Sequence, residues 1–294
     1  EGQVWYNTTS NVLKGQAATA AGAWASGGNL NTARAFIAGA GIQTAALAFG
    51  GTTPPVKTET ESYDGSSWTE VNDLNTSRYA LGGAGTYTAA LAFGGRTPSP
   101  PVGAQTETWN GTNWTEVNDM NTARSVLAGG GTNTSALGFG GTTNSTESWN
   151  GTNWTEVNTL NTGRNALAAA AADNTAALAI GGSGPTADTE LWNGSNWTEV
   201  NNLNTARQYL AGCGISTAAL AFGGTPPVTG KTESWNGTNW TEDTDLSTAR
   251  DGLGGAGTNT LALAFGGGDA VPVKNATEEW TAAGTGVTRT FTDS

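Results

Sequence analysis

The chain has 294 residues with 44 Gly, 12 Trp, one Cys and no His, and 24 acidic against 12 basic side chains give a formal charge of −12. The absence of imidazole and the single Cys213 exclude a Cys/His zinc site, a disulfide within the chain and catalytic units of the Ser-His-Asp or Cys-His type. The negative charge repels phosphates, and no apolar run reaches the roughly 18–20 residues of a membrane helix, so we expect no nucleic-acid binding and no membrane insertion.

Residues 1–17 come first in the chain and do not share the repeat that fills the rest of it. The stretch from Gly2 to Lys14 mixes Val, Trp and Tyr with Asn, Thr and Ser. We therefore expect 1–17 to be an N-terminal extension outside the main domain.

The rest of the chain consists of six copies of one unit. The fullest copy begins at 106–124 with TETWNGTNWTEVNDMNTAR and continues into an Ala/Gly/Leu stretch. A Gly-Gly pair ends each copy at intervals of 41 to 46 residues, and these pairs begin at Gly50, Gly94, Gly140, Gly181, Gly223 and Gly266. One arginine also marks each copy, at Arg34, Arg78, Arg124, Arg164, Arg207 and Arg250.

The length and composition of the unit indicate a β-propeller. A period of about 40–50 residues is typical of propellers and of helical solenoids. Gly, Thr, Asn and Trp dominate the unit, and it lacks the long apolar stripes of helix pairs. We therefore predict an all-β fold, a six-bladed β-propeller of four-stranded blades. The propeller is expected at 18–283, followed by a C-terminal tail at 284–294.

Four strands can be assigned within each unit. In the second unit, the innermost strand follows the arginine at Tyr79–Ala84, and the second strand is Thr88–Phe93. One face of that second strand carries only small side chains, which suits blades that converge on an axis. The third strand carries Glu and an aromatic residue, the fourth reads Trp-Thr-Glu-Val, and the Asn-Gly between them is a strong hairpin signal.

The two ends of the repeat indicate how the ring closes. Trp280 is a third-strand aromatic residue without a fourth-strand Trp after it, and Trp24 is a fourth-strand Trp without a third-strand aromatic before it. We therefore predict that the N-terminal strand around Trp24 completes the last blade. The segment 286–291 is an alternative for the same outer position.

The unit resembles the kelch repeat in four features. These are the aromatic residue followed by Asn-Gly or Asp-Gly, the Trp five residues after that aromatic, the arginine before the inner strand, and the final Gly-Gly. The resemblance extends from Trp24 to Trp280 and implies a six-bladed propeller of kelch-like blades. The Ala/Leu/Gly-rich inner strands depart from the usual pattern, because they lack the His often seen there.

A second resemblance concerns the source of such sequences. The stretch from Gly2 to Lys14 resembles short segments that recur in bacteriophage tail-fibre and other virion proteins, and the Asn/Thr/Trp-rich units are similar to sequences encoded by marine phages. This resemblance implies an extracellular or virion location, other virion proteins as partners, and attachment through 1–17.

Two enzyme classes use comparable propellers, and the residues argue against both. Copper oxidases built on kelch-type blades need imidazole ligands, which this chain does not have. Sialidases use an arginine cluster at unrelated positions, whereas here one equivalent arginine recurs in every blade. We therefore expect no enzyme activity, no catalytic residue, no metal and no cofactor.

The six arginines have two interpretations. In the structural one, each pairs with the glutamate of a third strand or caps loop carbonyls; these glutamates are Glu61, Glu107, Glu147, Glu190, Glu233 and Glu278. In the other, six guanidiniums around the mouth of the channel bind an anion. The structural interpretation is favoured, because nearby carboxylates would cancel the field of such a ring.

The connection between second and third strands varies far more than the rest of the unit. It spans 52–57, 96–105, 142–145, 183–188, 225–230 and 268–274 in the six units. Strand alternation places these variable loops on the same face as the arginines, and insertions in repeats tend to lie on a binding face. The candidate binding residues are Thr53, Pro54, Pro55, Lys57, Arg96, Pro98, Pro100, Gln105, Pro226 and Lys274.

Together these features predict a non-enzymatic propeller that serves as a structural and receptor-binding module of a virion, as part of a tail fibre or bound to a capsid. Its variable loops would contact a glycan or a protein on a host surface. A bacterial secreted or surface adhesin of the same shape is the alternative, and a glycan-active enzyme is a third class that the residues do not favour.

Overall fold

The computed structural model describes residues 3–7, 12–18, 21–268 and 272–291, and its side chains are described within 21–268 and 272–285. The remaining parts of the predicted extension 1–17, of the variable loop 268–274 and of the predicted tail 284–294 lie outside the described residues. All regular structure within the described ranges is β-strand. Those ranges contain no helix long and apolar enough to cross a membrane.

Six four-stranded antiparallel sheets form a ring, so the fold is the predicted six-bladed β-propeller. In five of the sheets the strands run in chain order from the channel outwards, and the sixth differs only in its outermost strand. The innermost strands of neighbouring blades contact one another around the whole ring.

The first three blades follow one another along the chain. Blade one consists of β4 (Ala38–Ile42), β5 (Ala45–Phe49), β6 (Thr60–Tyr63) and β7 (Trp68–Val71). Blade two consists of β8 (Gly82–Thr86), β9 (Ala89–Phe93), β10 (Thr106–Trp109) and β11 (Trp114–Val117). Blade three consists of β12 (Ala128–Gly131), β13 (Ala136–Phe139), β14 (Thr146–Trp149) and β15 (Trp154–Val157).

The last blade takes its outer strand from the start of the chain. Blade four consists of β16 (Ala168–Asp173), β17 (Ala176–Gly182), β18 (Thr186–Trp192) and β19 (Trp197–Val200). Blade five consists of β20 (Ala211–Ile215), β21 (Ala218–Phe222), β22 (Thr232–Trp235) and β23 (Trp240–Asp243). Blade six consists of β24 (Gly254–Gly257), β25 (Leu261–Phe265), β26 (Thr277–Thr281) and β3 (Ala23–Ser26).

The predicted closure by Trp24 is confirmed. Trp24 on β3 faces Trp280 on β26 in antiparallel register, with ring centroids 5.5 Å apart. The alternative strand, β27 (Gly286–Phe291), instead pairs with β2 (Val12–Ala18), which also pairs with β1 (Gln3–Asn7). The two ends of the chain therefore form a separate three-stranded sheet, which the sequence did not predict.

The inner strand begins later than predicted. In blade two it starts at Gly82, whereas Tyr79 forms an isolated bridge with Arg96 and Ala80 has a φ of 52°. A left-handed residue turns the chain and cannot continue a strand. The two residues after the arginine therefore belong to the mouth of the channel and not to the strand.

Large side chains of one blade pack against small side chains of the next. Leu47 and Phe49 on β5 pack with Ala90 and Ala92 on β9, and the ring centroids of Phe49 and Trp114 lie 4.9 Å apart. The small face predicted for the second strand therefore lies at the contact between blades, where it lets them approach closely.

Hydrogen bonds between tryptophan and threonine run around the entire ring. The indole N–H of each fourth-strand Trp donates to the hydroxyl of the Thr that directly precedes the third-strand glutamate in the preceding blade, at 2.9–3.2 Å. The pairs are Trp24–Thr232, Trp68–Thr277, Trp114–Thr60, Trp154–Thr106, Trp197–Thr146 and Trp240–Thr189. Because Trp24 on β3 makes the same hydrogen bond, blade six is joined to blade five in the same way as every other pair of neighbouring blades.

Candidate binding face

Each blade contains one buried ion pair between the arginine before its first strand and the glutamate of its third strand. The nitrogen–oxygen distance is 2.7–3.0 Å in five of them, and no paired side chain is more than 4% exposed. The pairs are Arg34–Glu61, Arg78–Glu107, Arg124–Glu147, Arg164–Glu190, Arg207–Glu233 and Arg250–Glu278. The pairing expected from the sequence is thus present in all six blades.

The unit in blade two shows what each arginine–glutamate pair holds together. Arg78 Nη2 donates to Glu107 Oε1 at 2.7 Å, and Arg78 Nη1 donates to the carbonyl of Gln105 at 2.5 Å. Glu107 Oε2 accepts from the backbone N–H and the side-chain amide of Asn75, at 2.7 and 2.9 Å. The pair therefore fixes the chain between blades one and two to the third strand of blade two.

The asparagine partner was missed by sequence reasoning, although a signal was present. Five of the six arginines are preceded by Asn-Thr-x, and the first residue of this motif is the one that binds the glutamate. Blade six has Ser247 there, and its backbone N–H donates to Glu278 Oε2 at 2.7 Å. The motif is therefore part of the framework and not of a ligand site.

The arginines do not form an anion site at the mouth of the channel. Burial lowers the pKa of five of these guanidiniums, against the opposing effect of the paired glutamate; the five are Arg34, Arg78, Arg124, Arg207 and Arg250. An arginine remains protonated despite such a shift. Since all six are buried and already paired, the anion-binding interpretation does not fit the geometry.

A closed belt of backbone hydrogen bonds lies at the mouth of the channel on the arginine side. The second residue after each arginine donates its N–H to the carbonyl of the equivalent residue in the preceding blade, at 2.6–3.0 Å, and the sixth bond returns to the first residue. These belt residues are Phe36, Ala80, Val126, Ala166, Tyr209 and Gly252.

The belt holds five non-glycine residues in a strained backbone conformation. The belt residues have φ between 52° and 58°, the left-handed region that usually requires glycine. Such a conformation costs on the order of 1–3 kcal/mol per residue, and it tends to occur at functional sites. The N–H and C=O of every belt residue bond to another belt residue, so a ligand at this mouth must be recognised by side chains or by backbone groups deeper in the channel.

The side chains at the mouth differ from blade to blade, unlike the framework around them. The dipeptides after the six arginines read AF, YA, SV, NA, QY and DG. The belt surrounds a cavity of about 150 Å³, and the next residue of each blade, one Ile and five Leu, lines it as well. This site was missed from the sequence, although comparing the two residues after each arginine would have revealed it.

The predicted binding loops lie on the same face as the belt. Backbone hydrogen bonds join Thr52 to Ala35, Arg96 to Tyr79, and the equivalent pair in blade five. Each of these three loops therefore contacts the dipeptide that follows the arginine of the same blade. Six of the ten candidate residues are exposed: Pro54, Pro55, Arg96, Pro98, Pro100 and Pro226. The belt residues, their preceding neighbours and the variable loops are together termed the variable face.

Some candidate residues are engaged within the protein. Thr53 donates its hydroxyl to the carbonyl of Ala33, and Lys57 Nζ lies 3.2 Å from a carboxylate oxygen of Glu59. The side-chain oxygen of Gln105 is buried with no hydrogen-bond partner among the described residues. These three side chains are less available to a ligand than Arg96 and the exposed prolines.

The charge distribution distinguishes the variable face from the rest of the propeller. Apart from the six paired arginines, the basic residues between 18 and 283 are Lys57, Arg96, Lys231 and Lys274. All four lie in a variable loop or directly after one, whereas exposed glutamates recur on the outer strands. In a propeller with an excess of acidic side chains, these four bases therefore cluster near the variable face, which also contains Asp188, Asp251 and Asp269.

The opposite mouth of the channel has a different character. It is lined by Gly and Ala of the inner strands together with Cys213, around a cavity of about 110 Å³. Burial raises the pKa of Cys213 to about 12, so this thiol stays protonated and unreactive at neutral pH. Ile42, Tyr87, Ile215 and Leu261 are 38–54% exposed near the hairpins at this end.

Comparisons with known proteins do not assign this chain to a family. The chain matches no protein-family model and no curated protein. Among the described residues, no group of three or more His, Cys, Asp or Glu side chains is placed to hold a metal ion.

Proposed function

We propose that this propeller is a non-enzymatic recognition module with kelch-like blades, carried on the surface of a virion as part of a tail fibre or bound to the capsid. The variable face contacts a glycan or protein on a host surface, and the N-terminal extension joins the module to other virion proteins. The observation that carries this proposal is the length variation of the variable loops, which range from four to ten residues and lie on one face of an otherwise repeated scaffold.

The position of the chain ends supports a division between attachment and recognition. β26 begins beside the variable loop of blade six and runs to the opposite end of the blade, where Ala282 donates its N–H to the carbonyl of Thr260. The sheet formed by β1, β2 and β27 follows directly from that end. The chain therefore leaves the propeller away from the variable loops, so a partner bound to the ends leaves the variable face open.

The phage origin rests on sequence resemblance. The stretch from Gly2 to Lys14 is similar to virion segments, and part of it forms β1 and β2 in the terminal sheet. Co-purification of the protein with particles supports a virion component, whereas its recovery from a bacterial surface in the absence of particles favours the adhesin.

A loop exchange tests the proposed binding face. Binding of the intact protein to a glycan array and to host cells is measured before and after 96–105 is replaced by the four residues 142–145 of blade three. Thr115→Ala, on an exposed position of β11, is the matched control. We expect the exchange to reduce binding and the control to leave it unchanged. Unchanged binding after the exchange contradicts the proposal.

A further inference from the structure

We propose that the mouth enclosed by the belt is a socket for one aromatic side chain with a polar tip, tyrosine or tryptophan, presented by a protein partner. The socket comprises the belt residues Phe36, Ala80, Val126, Ala166, Tyr209 and Gly252 and the cavity of about 150 Å³ below them. This inference deepens the proposed function and rests on it for its biological meaning, because it assigns a partner class to the same face.

The upper wall of the socket, termed the collar, is formed by aliphatic and aromatic side chains, and the hydroxyl of Tyr209 is its one polar side-chain group. Belt side chains and the Ile/Leu ring beneath them line the cavity, while the belt N–H and C=O groups are already bonded to one another. A cavity of about 150 Å³ is large enough to admit one benzene ring. Phe36 and Tyr209 both line this cavity, and their ring centroids lie 5.4 Å apart in an edge-to-face arrangement.

The floor of the socket is polar. Each innermost strand is the edge of its sheet and pairs on one side only, so backbone groups on its other side face the channel. Gly39, Gly83, Gly129, Gly212 and Gly255 from these strands line the cavity. A group that fits must therefore have apolar sides and a hydrogen-bonding tip along the axis, as the side chains of tyrosine and tryptophan have.

A sugar fits this arrangement poorly. Its hydroxyl groups project all around the ring, and inside an apolar collar they would be buried without partners, which is costly. The collar therefore selects a protein side chain over a glycan.

Charge narrows the partner further. Arg96 is exposed, and its backbone exchanges two hydrogen bonds with Tyr79, next to the belt residue Ala80. No ion pair of Arg96 or Lys274 occurs among the described residues, whereas Lys57 and Lys231 each pair with a glutamate. Asp251 precedes the belt residue Gly252 in blade six, so charge complementarity favours an acidic partner residue only on the side of the mouth next to Arg96.

Titration of the intact protein with p-cresol, toluene and methyl β-D-galactoside, followed by NMR, tests the socket. We expect p-cresol to bind about threefold to tenfold more tightly than toluene, because only p-cresol offers a hydrogen bond to the floor. We expect no binding of the galactoside. Absence of p-cresol binding, or binding of the galactoside at the belt residues, overturns the proposal.

Two variants locate the p-cresol site. Ala80→Phe/Ala166→Phe fills the collar with two phenylalanine side chains. Phe36 already has this residue type at nearly the same φ as Ala80 and Ala166, so the backbone can accept it. We expect the double variant to bind p-cresol about tenfold more weakly. Ala172→Phe, exposed near the opposite mouth, is the control and should bind p-cresol as the parent does. If the double variant fails to fold, Phe36→Ala replaces it, and it should weaken binding severalfold. Binding that none of these changes affects overturns the proposal.

The outcomes separate this inference from the proposed function. If p-cresol binds at the belt but the loop exchange leaves host-cell binding unchanged, the proposed function is overturned and the socket proposal stands. Loop-dependent cell binding without p-cresol binding does the reverse.

Discussion

Blades two and three are alike in their outer halves and different where they meet the mouth of the channel. Both contain a buried arginine–glutamate pair and a facing pair of tryptophans whose ring centroids lie 5.4–5.5 Å apart. Their variable loops have ten and four residues, and the dipeptides after their arginines are Tyr-Ala and Ser-Val. The framework is repeated because it must close a ring. The side chains of the variable face are free to change because the belt joins the blades through backbone groups.

Substitutions in the framework should lower the free energy of unfolding more than those on the variable face, and the largest loss is expected at the ion pairs. Glu107→Ala leaves the Arg78 guanidinium buried without its counter-ion, which we expect to lower the free energy of unfolding by about 3–5 kcal/mol. The measurement is the urea unfolding curve of the variant beside that of the parent. The double variant Arg78→Met/Glu107→Leu should lose less than Glu107→Ala alone, since no unpaired charge remains. A larger loss in the double variant would contradict the proposed cause.

Two glycines with similar backbone angles allow a comparison between the framework and the variable loops. Gly140, with φ 67°, directly follows the second strand of blade three, and an added Cβ would lie 2.6 Å from the carbonyl oxygen of Arg164. Gly184, with φ 82°, lies in a variable loop and has nothing within 4 Å of that position. We expect Gly140→Ala to cost about 2–4 kcal/mol and Gly184→Ala about 1 kcal/mol, both measured by urea unfolding. Equal losses would show that crowding at Gly140 does not matter.

The hydrogen bonds between blades are expected to have a smaller effect. Thr60→Val removes the acceptor of the Trp114 indole N–H and leaves this donor buried, which we expect to cost about 1–3 kcal/mol. Thr115→Val, on an exposed position of the neighbouring strand, is the control and should change stability by less than about 0.5 kcal/mol. Thermal and urea unfolding of the two variants provide the comparison. Equal effects would mean that the indole finds another partner.

The smallest effect is expected on the variable face itself. Arg96→Ser changes an exposed side chain of a variable loop, so the free energy of unfolding should stay within about 0.5 kcal/mol of the parent value. The same unfolding assay measures it, with Glu107→Ala as the reference for a framework change. A loss above 1–2 kcal/mol would show that the variable face also contributes to closing the ring.

The sequence predicted the features that depend on repetition. Six Gly-Gly pairs and six arginines gave the blade number, and the unmatched Trp24 and Trp280 gave the closure, because each blade needs the same aromatic pair. The arginine–glutamate pairing followed from one residue of each type recurring in every unit. Repetition is a physical signal here, since equivalent positions must satisfy equivalent contacts.

The features that the sequence did not predict depend on the backbone or on unrepeated segments. At the belt, only Gly252 has the residue type that normally signals a left-handed backbone, and Phe36 or Tyr209 gives no such sign. The left-handed backbone at these residues is imposed by hydrogen bonds to neighbouring blades, and no local sequence pattern indicates such bonds. The terminal sheet pairs β2 with β27 across nearly the full length of the chain, and neither segment has a second copy to reveal its partner.

All of these comparisons depend on a ring closed by the first strand of the propeller. In a Cys213→Ala background, Ala25→Cys/Glu279→Cys places two thiols on facing positions of β3 and β26, and Ser62→Cys/Thr69→Cys places them on the equivalent facing positions of blade one. Disulfide yield after mild oxidation, measured by mass spectrometry of the monomer, is predicted to be the same for both pairs. A disulfide that forms in the blade-one pair and fails in the closing pair would contradict the account. So would a disulfide in a third variant, Glu279→Cys/Thr288→Cys, which tests the alternative outer strand.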